Sequence, residues 1–328
     1  MRALVVSNML PDAAHPERGS FVRDQAAALR RLEGVDVELF EFAPGPRALV
    51  RAAADLRRLS SERARARSSG ARASSAARAA AFDVVHAHFG LTAWPAFAVQ
   101  ARVRALTLHG TDLAHPRTRV ATLAALPLVN LVATVSAELV AALPRRSRAR
   151  ARVLPCGADV ERFVALPRVH ARRELGLDAE RPYVLFPADP ARPEKRHDRA
   201  VELARDAGAE LLALGGVDPE RVPLWVNAAN AVVVPSEREG FGLAAIEALA
   251  CDVPVLATPV GIHAEALAGI AGTLCEPFEL RRWSEALAPH VRAPDPRVEG
   301  RERAMRYSAV AMAERVAEAW RAASGRGR

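Results

Sequence analysis

Between Val232 and Leu256 the chain reads VVVPSEREGFGLAAIEALACDVPVL. Two β-branched apolar runs, Val232–Val234 and Val253–Leu256, enclose a polar turn and a helix over Leu243–Ala250. Runs apolar on both faces are buried strands, and strand–loop–helix–strand in this order belongs to a parallel α/β sheet. The loop carries Glu237 and Glu239, the helix carries Glu247, and Gly240 and Gly242 flank Phe241 where the helix begins. A glycine-bearing helix start offers free N–H groups and the positive end of the dipole, which suits a phosphate. Glu239 and Glu247 lie eight positions apart, so they fall on roughly the same side of the helix. Two carboxylates beside an anion site make sense as acceptors for sugar and ribose hydroxyls around a diphosphate. The plain alternative is a βα loop with solvated glutamates.

A chain of 328 residues can hold two domains with their own cores. Its apolar content of 50% and charged content of 26% fit a globular protein, with few aromatics at 5%. The net charge of +8 points to an anionic partner: nucleotide phosphates, anionic lipid or nucleic acid. No basic–aromatic interleaving, zinc spacing or RNA-binding pattern occurs, so nucleic acid is not expected. Cys156, Cys251 and Cys275 are scattered and odd in number, as in a reducing compartment. The run Ala3–Val6 is too short for a signal peptide, and polar residues interrupt Ala121–Leu143, so a cytoplasmic protein is expected.

Further along the chain, Gly19 stands just ahead of an amphipathic helix over Phe21–Leu32, readable as a turn glycine or as part of an anion loop. In the strand Phe82–His88, His86 and His88 share one face by period two, without the further ligands a metal site needs. His109 ends the strand Leu106–Leu108, where open α/β sheets place ligand contacts. Arg192 and Lys195 stand just before a helix starting near Asp198, as a diphosphate clamp or as solvated loop cations. Over Arg47–Ala81, Leu49, Leu56 and Leu59 form a sparse stripe among arginines. That pattern fits a helix lying on an anionic membrane, or equally a solvated helix with a disordered Ser-Arg stretch through Ser68–Ser75. Ser136 is expected to cap the helix after it, and Glu299–Ala323 to form one long helix with Met305, Tyr307, Met312, Val316 and Trp320 inward.

The segment E-G-F-G-L-A-A-I-E, Glu239–Glu247, resembles the E-x7-E element of retaining glycosyltransferases of the family 4 type, the bacterial glycosyl group 1 transferases. The preceding P-S and the following A-L-A-C-D-V-P-V-L extend the likeness. So do H-P-E-R-G-S-F around Gly19, D-V-V-H-A-H, T-L-H-G-T-D, V-L-P-C-G-A-D-V-E-R-F and P-V-G-I-H-A-E. The chain departs from the family pattern at Cys156 for Asn, Pro190 for the clamp Arg, Arg196 for Gly and Ile262 for Gly.

The resemblance implies a GT-B fold: two Rossmann-like doubly wound parallel-sheet domains facing a central cleft. Residues 1–165 would form the acceptor-binding domain and residues 166–300 a compacted nucleotide-sugar domain. Residues 301–328 would form a helix crossing back to the first domain. It implies transfer of a hexose-type sugar from a UDP- or GDP-sugar to a sugar, glycan or lipid-linked acceptor, with retention. His109, Glu239 and Lys195 would be catalytic. Arg192, Lys195, Glu239, Gly240, Phe241, Gly242, Leu243 and Glu247 would hold the donor, and Gly19, His86 and His88 would line the acceptor side. No D-x-D motif occurs, so no metal or other cofactor is expected, with cations meeting the diphosphate instead. The lipid-linked acceptors of the family add peripheral contact with the inner face of the membrane as an expectation. The competing readings are a non-catalytic nucleotide-sugar-binding subunit and a phosphorylase or hydrolase on the same architecture.

Overall fold

The computed structural model describes residues 1–68 and 80–325. They divide into two compact units. One comprises Met1–Pro11, Arg18–Cys156 and the chain from Met312 onward; the other comprises Asp12–Glu17 and Gly157–Ala311.

The first unit is built on six parallel strands: β1 (Arg2–Ser7), β2 (Asp36–Glu41), β3 (Phe82–His88), β4 (Ala101–Leu108), β5 (Leu131–Thr134) and β6 (Arg152–Val153). They stand in the order β2-β1-β3-β4-β5-β6. The second unit has five parallel strands: β7 (Tyr183–Phe186), β8 (Glu210–Ala213), β9 (Ala231–Val234), β10 (Val255–Ala257) and β11 (Leu274–Cys275). Their order is β11-β10-β9-β7-β8. Each unit thus repeats the same Rossmann-like pattern, in which the first strand lies between the second and the third. The chain reverses direction across the sheet between β1 and β3, and again between β7 and β9. In open parallel sheets that reversal leaves a crevice beyond the carboxyl ends of the two strands, where ligands bind.

The strands follow from the sequence pattern. β9, AVVV, and β10, VLA, are buried along their whole lengths, as expected of strands covered on both faces. In the first unit Val6, Val85, Leu106 and Val132 pack with Phe82 and Leu126. In the second, Val184, Phe186, Val233 and Leu256 pack with Leu203, Trp283 and Leu287.

Three expectations are corrected. The helix Pro46–Ser68 does form, but Ala52 and Leu56 are 2% and 0% exposed, and Leu49 and Leu59 pack on the same core. Its apolar stripe is therefore used inside the first unit and cannot insert into lipid, which leaves an outward face carrying Arg51, Arg57 and Arg58. The Ser-Arg stretch beyond Ser68 lies outside the described residues. Residues 299–323 form two helices, Arg301–Met305 and Ala309–Gly325, so Met305 is exposed at 49%. Met312, Val316 and Trp320 are buried. Ser136 makes no capping bond, and its buried hydroxyl has no partner among the described residues. No helix of the described residues is long and apolar enough to cross a membrane.

Candidate active site

In the second unit, two loops leave the carboxyl ends of β7 and β9, the strands flanking the reversal. The first brings Lys195, at the end of a short turn Pro193–Lys195; the second brings Ser236 and Glu239. Lys195 Nζ donates to both carboxylate oxygens of Glu239 at 2.6 Å, and Ser236 Oγ donates to Oε1 at 2.8 Å. The Lys195 side chain is 14% exposed and that of Glu239 8%. A pair this enclosed is held firmly in place, since removing either partner would strand a mostly buried charge.

Arg192, expected beside Lys195, lies on Glu194 instead, with Nη2 2.7 Å from Oε1, and is half exposed. Arg196, which stands where the family carries glycine, takes a left-handed φ of 57°. Its guanidinium is tied down at 2.6 Å by both Asp198 and Glu237, which offsets the backbone strain.

The helix Leu243–Ala250 begins after Glu239-Gly240-Phe241-Gly242. Gly242 has φ of 100°, and a Cβ there would lie 2.4 Å from His263 Nε2. The following turn carries this loop. Ile262 N–H donates to Phe241 O at 2.8 Å, and Gly261, φ 62°, leaves no room for a Cβ against that same oxygen, at 2.4 Å. Ile262 itself is right-handed, φ −94°, which explains why a glycine is dispensable there. Phe241 rests edge-on against Tyr307, whose hydroxyl donates to Glu265. Glu247 sits half-buried on the helix, and Leu243 opens it.

In the first unit the carboxyl ends of β3 and β4 bring three histidines together. His86 and His88 stack at 4.8 Å between ring centroids, and His88 and His109 at 5.1 Å. Trp320 Nε1–H donates to His86 Nδ1 at 3.2 Å, so the His86 proton is on Nε2, donating to Thr107 Oγ1 at 2.7 Å. His88 Nδ1 and His109 Nε2 share a hydrogen bond of 2.9 Å. Burial pushes His86 and His109 down to about 3 and His88 well below its usual value, so all three are neutral at neutral pH.

Asp112 fixes the position of His109. Its carboxylate accepts the backbone N–H of His109 and of Gly90, each at 2.6 Å. Phe89, with a left-handed φ of 72°, and Phe21 enclose the His109 ring at 4.6 and 5.0 Å. Phe21 is placed by Gly19, where φ is 72° and a Cβ would lie 2.5 Å from Met9 O, so only glycine fits. Asp112, Phe21, Phe89 and His263 were not singled out from the sequence. The Asp of H-G-T-D and the Phe after H-A-H were the available signals. Among the described residues no group of three His, Cys, Asp or Glu side chains is arranged to hold a metal ion.

The family model of Glycosyltransferase Family 4 matches residues 19–162, and that of Glycosyl transferases group 1 matches residues 194–307. The chain belongs to the family 4, group 1 glycosyltransferases. It is 30% identical over 273 residues to the D-inositol 3-phosphate glycosyltransferase of Actinosynnema mirum, covering 65% of each chain. A similar protein of Segniliparus rotundus is 33% identical over 198 residues, 50% of this chain and 43% of that one. The chain thus spans less than two thirds of the length of these relatives. Among solved structures, sucrose-phosphate synthase from Thermosynechococcus elongatus superposes with a TM-score of 0.68 at 20% identity over 98% of both chains. The architecture of this family 4 member is GT-B, two Rossmann-like parallel-sheet domains.

Proposed function

We propose that this family 4 member moves a hexose-type sugar from a UDP- or GDP-sugar to a sugar, glycan or lipid-linked acceptor, with retention and without a metal. The carrying observation is the Lys195–Glu239 pair at the β7/β9 reversal, beside the start of the helix Leu243–Ala250. A cation, a carboxylate and free helix N–H groups at one spot suit a diphosphate joined to a hydroxyl-rich sugar. Lys195 stabilises the charge developing on the leaving diphosphate. Glu239 orients the sugar and Glu247 the ribose. His109, in the first unit, offers a neutral imidazole as a further catalytic group. The inositol phosphate relatives make a phosphorylated polyol a natural first acceptor to try.

The test is nucleotide release from a panel of UDP- and GDP-sugars, with and without acceptors, for the native chain and Glu239→Ala. Acceptor-dependent release with one donor, lost in the variant and unaffected by a chelator, supports the proposal. Donor binding without transfer to any acceptor favours a binding subunit.

A further inference from the structure

His263 has no role in the proposed donor site, yet its place there is unusual. The imidazole is fully buried, and Nδ1–H donates to Thr258 O at 3.0 Å. Nε2 has no hydrogen-bond partner among the described residues. It faces Gly242, the residue before the helix Leu243–Ala250, where the missing Cβ leaves nothing between the ring edge and the helix start. A buried ring nitrogen left without a partner is costly unless another state of the molecule uses it.

We propose that His263 couples donor binding to proton uptake: when a nucleotide-diphospho sugar occupies the start of the helix Leu243–Ala250, His263 Nε2 takes up one proton. The inference rests on the donor reading above. Because Nδ1–H is committed to the Thr258 carbonyl, an added proton can enter only at Nε2, on the side of the helix start.

The charges around the ring explain why arrival of the donor tips the balance. Glu239, from the loop after β9, favours the charged ring, and Lys195, from the turn after β7, disfavours it. Burial is the largest influence and keeps the free ring neutral below its ordinary titration range, although Glu239 outweighs its partner Lys195 and the bond to the Thr258 carbonyl also favours the charged form. On its own helix, Glu265 is tied to Tyr307, and Arg303 binds the carbonyls of Glu265 and Ala266. Gly242 and Thr258, which touch the ring, carry no charge. A diphosphate diester adds about two negative charges near this neutral ring, more than the single Lys195 ammonium can offset, and a low-dielectric surrounding amplifies their pull on a proton. His263 is a positioning residue here: it acts on the donor through the helix start.

Calorimetric titration with UDP-glucose and GDP-mannose, in buffers of different ionisation enthalpy, counts the protons. Both probes are diphosphate diesters and release none of their own near neutrality. Expected at about pH 6.5 is uptake of roughly half a proton or more per donor bound, with affinity falling as pH rises. His263→Gln and His263→Asn should bind without uptake. Uptake of zero in the native chain overturns the proposal while leaving the donor site intact, and so does equal uptake in either variant. Failure of both probes to bind overturns the donor reading along with it. Independently of the variants, the nitrogen-15 histidine spectrum must show one of the nine imidazoles changing from neutral to charged on donor addition, and no such change overturns the proposal.

Discussion

Lys195 Nζ bridges both carboxylate oxygens of Glu239 at 2.6 Å, linking the loops that follow β7 and β9. If the pair works as one unit on the donor, Lys195→Ala and Glu239→Ala should each lower kcat about 100-fold or more. The double variant should lose far less than the product of the two, since residues acting together are non-additive. Steady-state nucleotide release gives all three values. Independent, multiplicative losses would separate the two roles.

His86, His88 and His109 are neutral in the folded protein, and His86 and His109 titrate only at about 3 instead of near 6.5. On unfolding each regains its ordinary affinity for a proton. The stability they contribute is therefore complete above about pH 6.5 and declines as pH falls from there toward 3. The expected slope is about 1.4 kcal/mol per pH unit for each histidine. Urea unfolding of the native chain and of His86→Asn between about pH 7 and 4 should show the variant with a slope shallower by about one proton. Identical slopes would refute the assignment.

Trp320 Nε1–H is the donor that leaves the His86 proton on Nε2, across 234 residues of sequence. Trp320→Phe keeps the bulk of the ring but leaves a buried acceptor unpaired, at about 1–3 kcal/mol. Trp320→Ala adds a cavity, for about 3–5 kcal/mol. Thr107→Val removes the acceptor of the His86 Nε2–H and should cost an amount similar to Trp320→Phe. Chemical denaturation ranks the three, and a neutral Trp320→Phe would show the bond to be dispensable.

The parts legible in the sequence were those set by short-range pattern. β-branched runs gave the buried strands, and the glycine-flanked helix start gave the loop where Glu239 lies. Contacts between distant segments were not legible. Nothing local marks Trp320 as the partner of His86, or His263 as the floor beneath Gly242. The Leu49–Leu59 stripe shows a different limit: an apolar face reads the same whether it meets a protein core or a bilayer, and only packing decides. Arg196 and Ile262 both stand in glycine's place for unlike reasons. Arg196 takes the left-handed backbone and is held by two carboxylates, whereas Ile262 never needs it.

The turn under the donor loop gives a sharper contrast. Gly261→Ala would place a Cβ 2.4 Å from Phe241 O at a left-handed φ, forcing the Glu239–Gly242 loop to shift. Its expected cost is about 1–3 kcal/mol in stability, with weaker nucleotide-sugar binding. Ile262→Gly restores the family residue at a right-handed position and should bind donor as the native chain does, within about 1 kcal/mol. Calorimetry of the two variants side by side checks the pair. Equal losses would mean that the backbone approach at Gly261 is not what shapes the loop.

The outward face of the helix Pro46–Ser68 carries Arg51, Arg57 and Arg58, while its leucines are committed to the core. Any membrane contact through this face must therefore be electrostatic, worth about 1 kcal/mol for each arginine near an anionic surface. Binding to vesicles rich in phosphatidylserine should fall steeply between about 0.05 and about 0.5 M salt, as the screening length shrinks from over about 10 Å to a few ångströms. Neutral vesicles should not bind. Reversing the three charges, Arg51→Glu, Arg57→Glu and Arg58→Glu together, should abolish binding while leaving nucleotide release to small acceptors unchanged. Co-sedimentation measures the first effect and the release assay the second. Binding that survives high salt, or that extends to neutral vesicles, would require an apolar anchor larger than Val50, the one large apolar side chain among the described residues of this helix that is exposed.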